Sequence, residues 1–222
     1  MEGVPSGDRS GDGGVRAALA ALRADLSAGF RDGLAELTRF VGGHPALFAV
    51  ALAAFGFGVV AGYVTIEPLG IDITAGAGGG FGLFPLDAAL QITANNWLVA
   101  IAQTYAGIAL GLPAVVNLVF NGLVVGGLAG LGFDLPVFAA LVVPHAVFEV
   151  PALAVSGALG FQLAVGAAAF ARGTRSAEEF AADLRRAFRV LVGLLPVFVV
   201  AGFVEAFLTP VVGDLVRSAV GG

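Results

Sequence analysis

The chain has 222 residues, of which 58% are hydrophobic and only 12% charged, where a soluble domain averages roughly 25% charged. Its 11 basic residues, all arginine, face 16 acids at a formal net charge of -5, which argues against nucleic acid as a partner because phosphates require a basic patch. With no cysteine in the chain, disulfides, thiol nucleophiles and cysteine-ligated metals are excluded.

This composition makes the lipid bilayer the main solvent. The implied class is all-α, a polytopic helical membrane bundle, because only helices and closed barrels satisfy the backbone in hydrocarbon. The long apolar runs lack the period of two that a barrel needs. The 34 glycines suit close helix contacts, since small residues let backbones approach where no hydrophobic force drives association. Acidic balance, absence of lysine and heavy use of Ala, Gly, Val and Asp resemble a salt-adapted proteome such as that of a halophilic archaeon.

Residues 1–14, MEGVPSGDRSGDGG, have almost nothing to bury and are expected to form a disordered tail. They lack a basic-then-apolar signal architecture, so the first membrane helix is expected to direct targeting. Over 15–43, Leu19, Leu22, Leu26, Phe30, Leu34, Leu37 and Val41 recur at spacings of three and four. That stripe predicts an amphipathic helix on the cytoplasmic or interfacial side, lying on the membrane or against the bundle, with Gly42 and Gly43 as its stop.

The membrane bundle is expected over 44–210, with spans near 45–66, 95–112, 114–131, 136–171 and 190–208. Each exceeds or approaches the length needed to cross about 30 Å of hydrocarbon at about 1.5 Å per residue. The segment 67–94, with Gly76, Gly78, Gly79, Gly80 and Gly82 around Phe81 and Phe84, reads as a surface loop. It has no GK[ST] ending and no basic residue, so a phosphate cradle is the poorer reading. From Leu86 the chain is expected to turn helical again, Trp97 marks a membrane interface, and Pro113 separates the second and third spans. Gly122, Gly126 and Gly130 repeat every four residues as a small-xxx-small packing face, and Gly107 and Gly111 give the preceding helix a similar line. The fourth stretch contains Pro144 and Pro151 and is expected to be kinked or interrupted. A charged hairpin over 173–189 comes next, with Ser176 and Glu179 spaced as a capping box. Pro210 is expected to stop the last span, leaving 211–222 as a short C-terminal tail.

Arginine placement supplies an orientation. Arg9, Arg16, Arg23, Arg31 and Arg39 precede the first span, and Arg172, Arg175, Arg185, Arg186 and Arg189 lie between the fourth and fifth. With five spans these regions share a side, which the positive-inside rule makes cytoplasmic. A multi-pass protein of the cell membrane with its N-terminus in the cytoplasm is expected.

Ionisable residues at membrane depth are costly and usually face a bundle interior or a wet cavity. His145 and Glu149 are i, i+4 neighbours on one helical face. Asn95, Asn96, Gln103, Asn117 and Asn121 on the second and third spans, and Glu205 on the last, complete a set able to converge on one polar centre.

The order Asn95-Asn96 at a helix start, a Gly-rich hairpin carrying Asn121-Gly122, then Pro144-His145 followed by Glu149 resembles the stage II sporulation protein M family. The resemblance covers about 45–205. Its sharpest piece is P-H-x-x-x-E, where the family commonly has Gly after the His and this chain has Ala146. The resemblance implies an integral membrane protein that, in spore-forming bacteria, scaffolds two peptidoglycan-degrading partners during forespore engulfment.

Three functional classes remain. The leading expectation is a scaffold or complex subunit, with a transporter as the alternative. The scaffold would use the amphipathic helix and the Arg/Glu hairpin as docking surfaces for membrane or membrane-associated proteins. A second copy of the chain is a further candidate partner. In that reading His145, Glu149 and the asparagines serve as interhelical glue, with no cavity around them. A transporter or permease subunit would instead use a broken helix and the His145/Glu149 pair as a polar intramembrane site. An intramembrane enzyme is the third class. His145, Glu149 and Glu205 are capable of zinc ligation, but the chain has no HExxH pattern, and Ser156 sits among small residues that suggest packing. No catalytic residue, cofactor or metal is therefore expected, and the chain is read as a non-enzyme.

Overall fold

The computed structural model of the protein describes residues 10–69, 85–131 and 134–220. Among these the secondary structure is helical, without a strand. In chain order the helices are α1 (Ser10–Gly43), α2 (Pro45–Leu69), α3 (Pro85–Ala106), α4 (Leu112–Gly130), α5 (Leu135–Ala171) and α6 (Ala177–Phe203). A π-helical turn, Val204–Leu208, then leads directly into α7 (Thr209–Val220).

Side-chain size is distributed inside out, as a bilayer demands. Phe57, Val60, Tyr63 and Val64 of α2, Val116 and Phe120 of α4, and Val143 and Val147 of α5 point outward, whereas Ala51, Ala100, Ala114, Ala154 and Ala158 are buried. Large apolar groups lose nothing by facing lipid, and small ones let helices close together. Four helical stretches are long and apolar enough to cross a membrane: Pro45–Thr65, Leu112–Gly130, Leu135–Ala171 and Ala177–Val220. The protein is a helical membrane bundle.

The expected second span is displaced. It was expected over 95–112, but α3 occupies Pro85–Ala106 and is not among the four apolar stretches. Its start is set by Pro85 at the first helical position, where a missing N–H costs nothing, with Asp87 in the first turn. Its end falls where Gly107 begins a turn and Leu110 and Gly111 adopt φ of 59° and 74°. With 22 residues α3 is long enough to cross, at about 1.5 Å per residue. Gln91, Thr93, Asn95, Asn96, Gln103 and Thr104 dilute its hydropathy, and α3 packs against α5 and α6. The expected loop at 67–94 thus shrinks, since 67–69 belong to α2, and the helical restart expected at Leu86 falls one residue inside α3. Gly76, Gly78, Gly79, Gly80, Gly82, Phe81 and Phe84 lie outside the described residues. Trp97 is no boundary marker: it sits mid-helix and donates from Nε1 to the Leu191 carbonyl of α6 at 3.1 Å.

Two further expectations are corrected. The interruption expected in the fourth stretch is absent: α5 runs as one helix of 37 residues through both Pro144 and Pro151, because neighbouring helices and local adjustments compensate a proline's lost hydrogen bond in a membrane bundle. Pro210 does not stop the last helix either. It sits in the first turn of α7 after the π-helical turn, where the Thr209 N–H bonds the Val204 carbonyl five residues back. The expected tail over 211–222 is consequently helical to Val220. At the other terminus α1 begins at Ser10, so residues 10–14 are helix, and 1–9 lie outside the described residues.

α1 lies against α6. Gly33 meets the backbone of Arg189 and Gly193, and this close approach centres the contact face on Gly33, Glu36 and Phe40 while leaving Leu34 exposed. Glu36 is buried with its carboxylate paired to Arg186 Nε at 2.6 Å and Arg39 at 2.7 Å. His44, the lone non-helical residue between α1 and α2, stacks its ring on Phe40 at 4.7 Å. The α5–α6 turn is held by an Arg175–Asp183 ion pair. Its expected capping box is present, with Glu179 N–H donating to Ser176 Oγ and Ser176 N–H to the Glu179 carboxylate.

Candidate functional site

The first turns of α3, the last turns of α4, the first third of α5 and the π-helical turn after α6 surround a cavity of about 730 Å³. Chain direction puts all four regions at the bundle end opposite α1 and the N-terminal half of α6. Polar groups on its wall are Gln91, Asn95, Asn96, Asn121, His145, Glu149 and Glu205, set among Val, Leu and Ile side chains. A smaller space of about 60 Å³ continues behind Asn121, His145 and Glu149 towards Phe55 and Leu153.

At its centre, one ligand atom each from His145, Glu149 and Glu205 lie within 4.8 Å of one another. His145 and Glu149 are brought together by one turn of α5, as their i, i+4 spacing requires. Glu205 comes from a distant part of the chain and lies within the π turn. The extra residue there rotates the rest of the helix by about 100° relative to a continuous α-helix. Such bulges concentrate at functional sites. Thr209, at the end of the same turn, places Oγ1 3.5 Å from His145 Nδ1.

The asparagines divide. Asn95, Asn96 and Asn121 reach the cavity wall, with Asn95 Nδ2 3.5 Å from Asn96 Oδ1. Asn117 does not line it: it accepts from Asn121 Nδ2 through its carbonyl at 2.8 Å and through Oδ1 at 3.0 Å, fixing the amide that does. Gln103 belongs elsewhere. It is buried between α3 and α5, where Nε2 donates to the Leu153 carbonyl and to Ser156 Oγ, both at 2.8 Å. Ser156 donates to Leu153 O and Thr104 to Ser156 O, so Ser156 is part of a polar joint between helices. Two residues of the site escaped the sequence reading. Gln91 stands four residues before Asn95 on one helical face, a spacing legible once the chain turns helical at Leu86. Thr209 sat beside Pro210, where a helix end was expected.

The glycines divide likewise. Gly122 and Gly126 of α4 press on the carbonyls of Phe55 and Val59 in α2, and Gly107 presses on the backbone of Gly160 in α5. Gly111 instead supplies the left-handed backbone of the turn before α4, at φ 74°, and Gly130 is half-buried at the end of α4.

A family model described as Stage II sporulation protein M matches residues 51–210. The chain belongs to the stage II sporulation protein M family. The portion shared with the stage II sporulation protein M family holds the entire cavity wall, and it leaves out α1 and most of α7. An uncharacterized protein of Methanocaldococcus jannaschii is 27% identical over 124 residues, which cover 54% of this chain and 70% of that protein. No solved structure matches the chain.

Proposed function

We propose that this protein is a membrane carrier or permease subunit that takes a small cation or polar solute into the cavity around His145, Glu149 and Glu205. The observation that carries the reading is the cavity itself. Interhelical glue would leave these groups bonded across closed helix contacts, whereas here they face about 730 Å³ of shared space. Ionisable groups at such depth mark ion and solute pathways more often than packing. The arginines around α1 and the α5–α6 turn favour a cell-membrane orientation with those segments cytoplasmic. The cavity would then open from the outer half of the bundle. Neither the reading nor the site calls for catalysis.

Reconstituted proteoliposomes test this. With a pH-sensitive dye and cation-selective dyes trapped inside, at the molar salt that the acidic composition suits, flux should exceed that of empty vesicles. Glu149→Gln should remove it. Wild-type vesicles no leakier than empty ones to protons and to a panel of monovalent and divalent cations would end the carrier reading.

A scaffold role is the second reading, favoured by the exposed face of α1. Arg23, Arg31, Asp32 and Arg39 project away from the α6 contact, and α1 lies outside the family-matched region. Deleting residues 15–41 should then abolish co-purification of membrane-associated partners from native membranes. Unchanged recovery of those partners, or recovery of the protein alone before deletion, would count against it. A second copy of this chain would show as self-association in the same purification.

A further inference from the structure

We propose that His145, Glu149 and Glu205 bind one divalent first-row transition cation, of the Mn²⁺ to Zn²⁺ series. This rests on reading the cavity as a ligand site and names its ligand.

Charge balance is the first argument. Two carboxylates sit side by side at membrane depth, and no arginine is among the residues lining the cavity. Arg217, the nearest arginine in sequence to Glu205, pairs with Asp214 on α7. Unpaired carboxylates in a low-dielectric setting either take up protons or hold a cation. A divalent ion neutralises both at once.

Geometry is the second. The three donor atoms come from two separate helical segments and lie within 4.8 Å of one another. Around an ion at about 2.1 Å, tetrahedral donors stand roughly 3.4 Å apart, so closing on the ion takes rotamer-scale movements into open space. Thr209 Oγ1 stands 3.5 Å from Nδ1 of His145, where outer groups of metal-bound histidines stand, which leaves Nε2 as the nitrogen open to ligation. The π turn that carries Glu205 and leads into Thr209 packs against α3 and α5, and Glu205 within it is half-buried on the cavity wall.

Donor chemistry sets the ion class. Imidazole suits Zn²⁺, Fe²⁺, Ni²⁺ and Cu²⁺, while carboxylates suit Mn²⁺ and the harder ions. One His with two Glu therefore fits the Mn²⁺ to Zn²⁺ range, and Mg²⁺ or Ca²⁺ would prefer an all-oxygen shell. Three protein donors leave positions for water, and Asn96, Asn121 and Gln91 on the same wall are placed to hydrogen-bond it. An ion that keeps water and open positions is one that can leave again.

Co²⁺ is the probe, because its visible bands report coordination without any flux. Metal-stripped full-length protein in detergent is titrated with Co²⁺. One equivalent should bind, and His145→Gln, Glu149→Gln and Glu205→Gln, changes of similar size, should each weaken binding more than about 10-fold. Asp32→Asn, an exposed carboxylate change on α1, should leave it unaltered. Zn²⁺ should displace the probe at equimolar concentration and Mn²⁺, lower in the affinity series than Co²⁺, only in excess, whereas equimolar Mg²⁺ should not displace it. Absence of a saturable band, titrations indifferent to Glu149→Gln and Glu205→Gln, or displacement by equimolar Mg²⁺ would each overturn the site. Saturable Co²⁺ binding of this kind without flux in vesicles retires the carrier reading and leaves the metal site standing. Flux by a chain that binds no Co²⁺ does the reverse.

Discussion

Gly126→Leu is expected to abolish recovery of monodisperse folded protein from detergent, and Gly126→Ala to lower its thermal stability, at a cost of about 1–3 kcal/mol for overpacking. A Cβ at Gly126 would collide with the Val59 carbonyl, and one at Gly122 with the Phe55 carbonyl. From the other side, Gly58 and Gly62 of α2 press on the Val119 and Leu123 carbonyls of α4. Every obstructing group is backbone, so no rotamer change relieves the clash and the two helices must part. Parting them forfeits dispersion along the whole contact, which in lipid is most of what holds helices together. Gly56 offers the internal control: nothing lies within 4 Å of a Cβ built there. Gly56→Ala should therefore be neutral or stabilising by up to about 1 kcal/mol through helix propensity alone. Size-exclusion profiles and melting curves of the three variants check this. Wild-type melting of Gly126→Leu would mean that α2 and α4 do not pack as described.

The sequence was informative where one local rule dominates. Long apolar runs gave the membrane class, i, i+4 spacing gave the His145/Glu149 pair, Ser176 with Glu179 gave a cap, and the 122/126 repeat gave the α4 packing face. Proline misled in both directions. Pro144, Pro151 and Pro210 each remove a donor, which in water would end or bend a helix. Here the surrounding helices and a π turn absorb them, so α5 and the α6–α7 run continue. The start of α3 was legible at Pro85 and Leu86, but its polar residues, of which Thr93, Gln103 and Thr104 are buried, dilute its hydropathy and pushed the expected span towards 95–112. Glu36 illustrates a different limit. It stands off the apolar stripe, between Leu34 and Leu37, yet it is buried against α6, where Arg186, 150 residues later, pairs with it. No local pattern announces a partner so far along the chain. The convergence of Glu205 on His145 has the same character, since it depends on α6 lying beside α5.

Gly193→Leu is expected to release α1 while leaving the membrane bundle folded. A Cβ at Gly193 would run into the Gly33 carbonyl, and one at Gly33 would stand 2.8 Å from Gly193 N and 2.9 Å from Arg189 O. A leucine there pushes α1 off α6 at the point where Glu36 engages Arg186 and Phe40 enters the core formed with Leu191, Leu194 and Phe198. The ion pair will not hold the helix by itself. Arg186 and Arg39 are 46% and 64% exposed, so solvent screening limits their contribution to about 1 kcal/mol or less. Burial of Phe40 contributes about 1.5–3 kcal/mol, and that is the larger loss once the backbones separate. Limited trypsin digestion reads the outcome, because Arg31 and Arg39 lie on α1. The variant should be cut there at least tenfold faster than wild type, and the fragment from residue 40 onward should retain its helicity and its melting transition. Equal cleavage rates would mean that α1 is not held through Gly33 and Gly193. The result also bears on partner recruitment. In the docked state α1 offers only its charged outer face, whereas a released α1 also exposes Leu37 and Phe40. Stronger partner capture by Gly193→Leu than by wild type would therefore assign docking to the inner face, and weaker capture would assign it to the outer one.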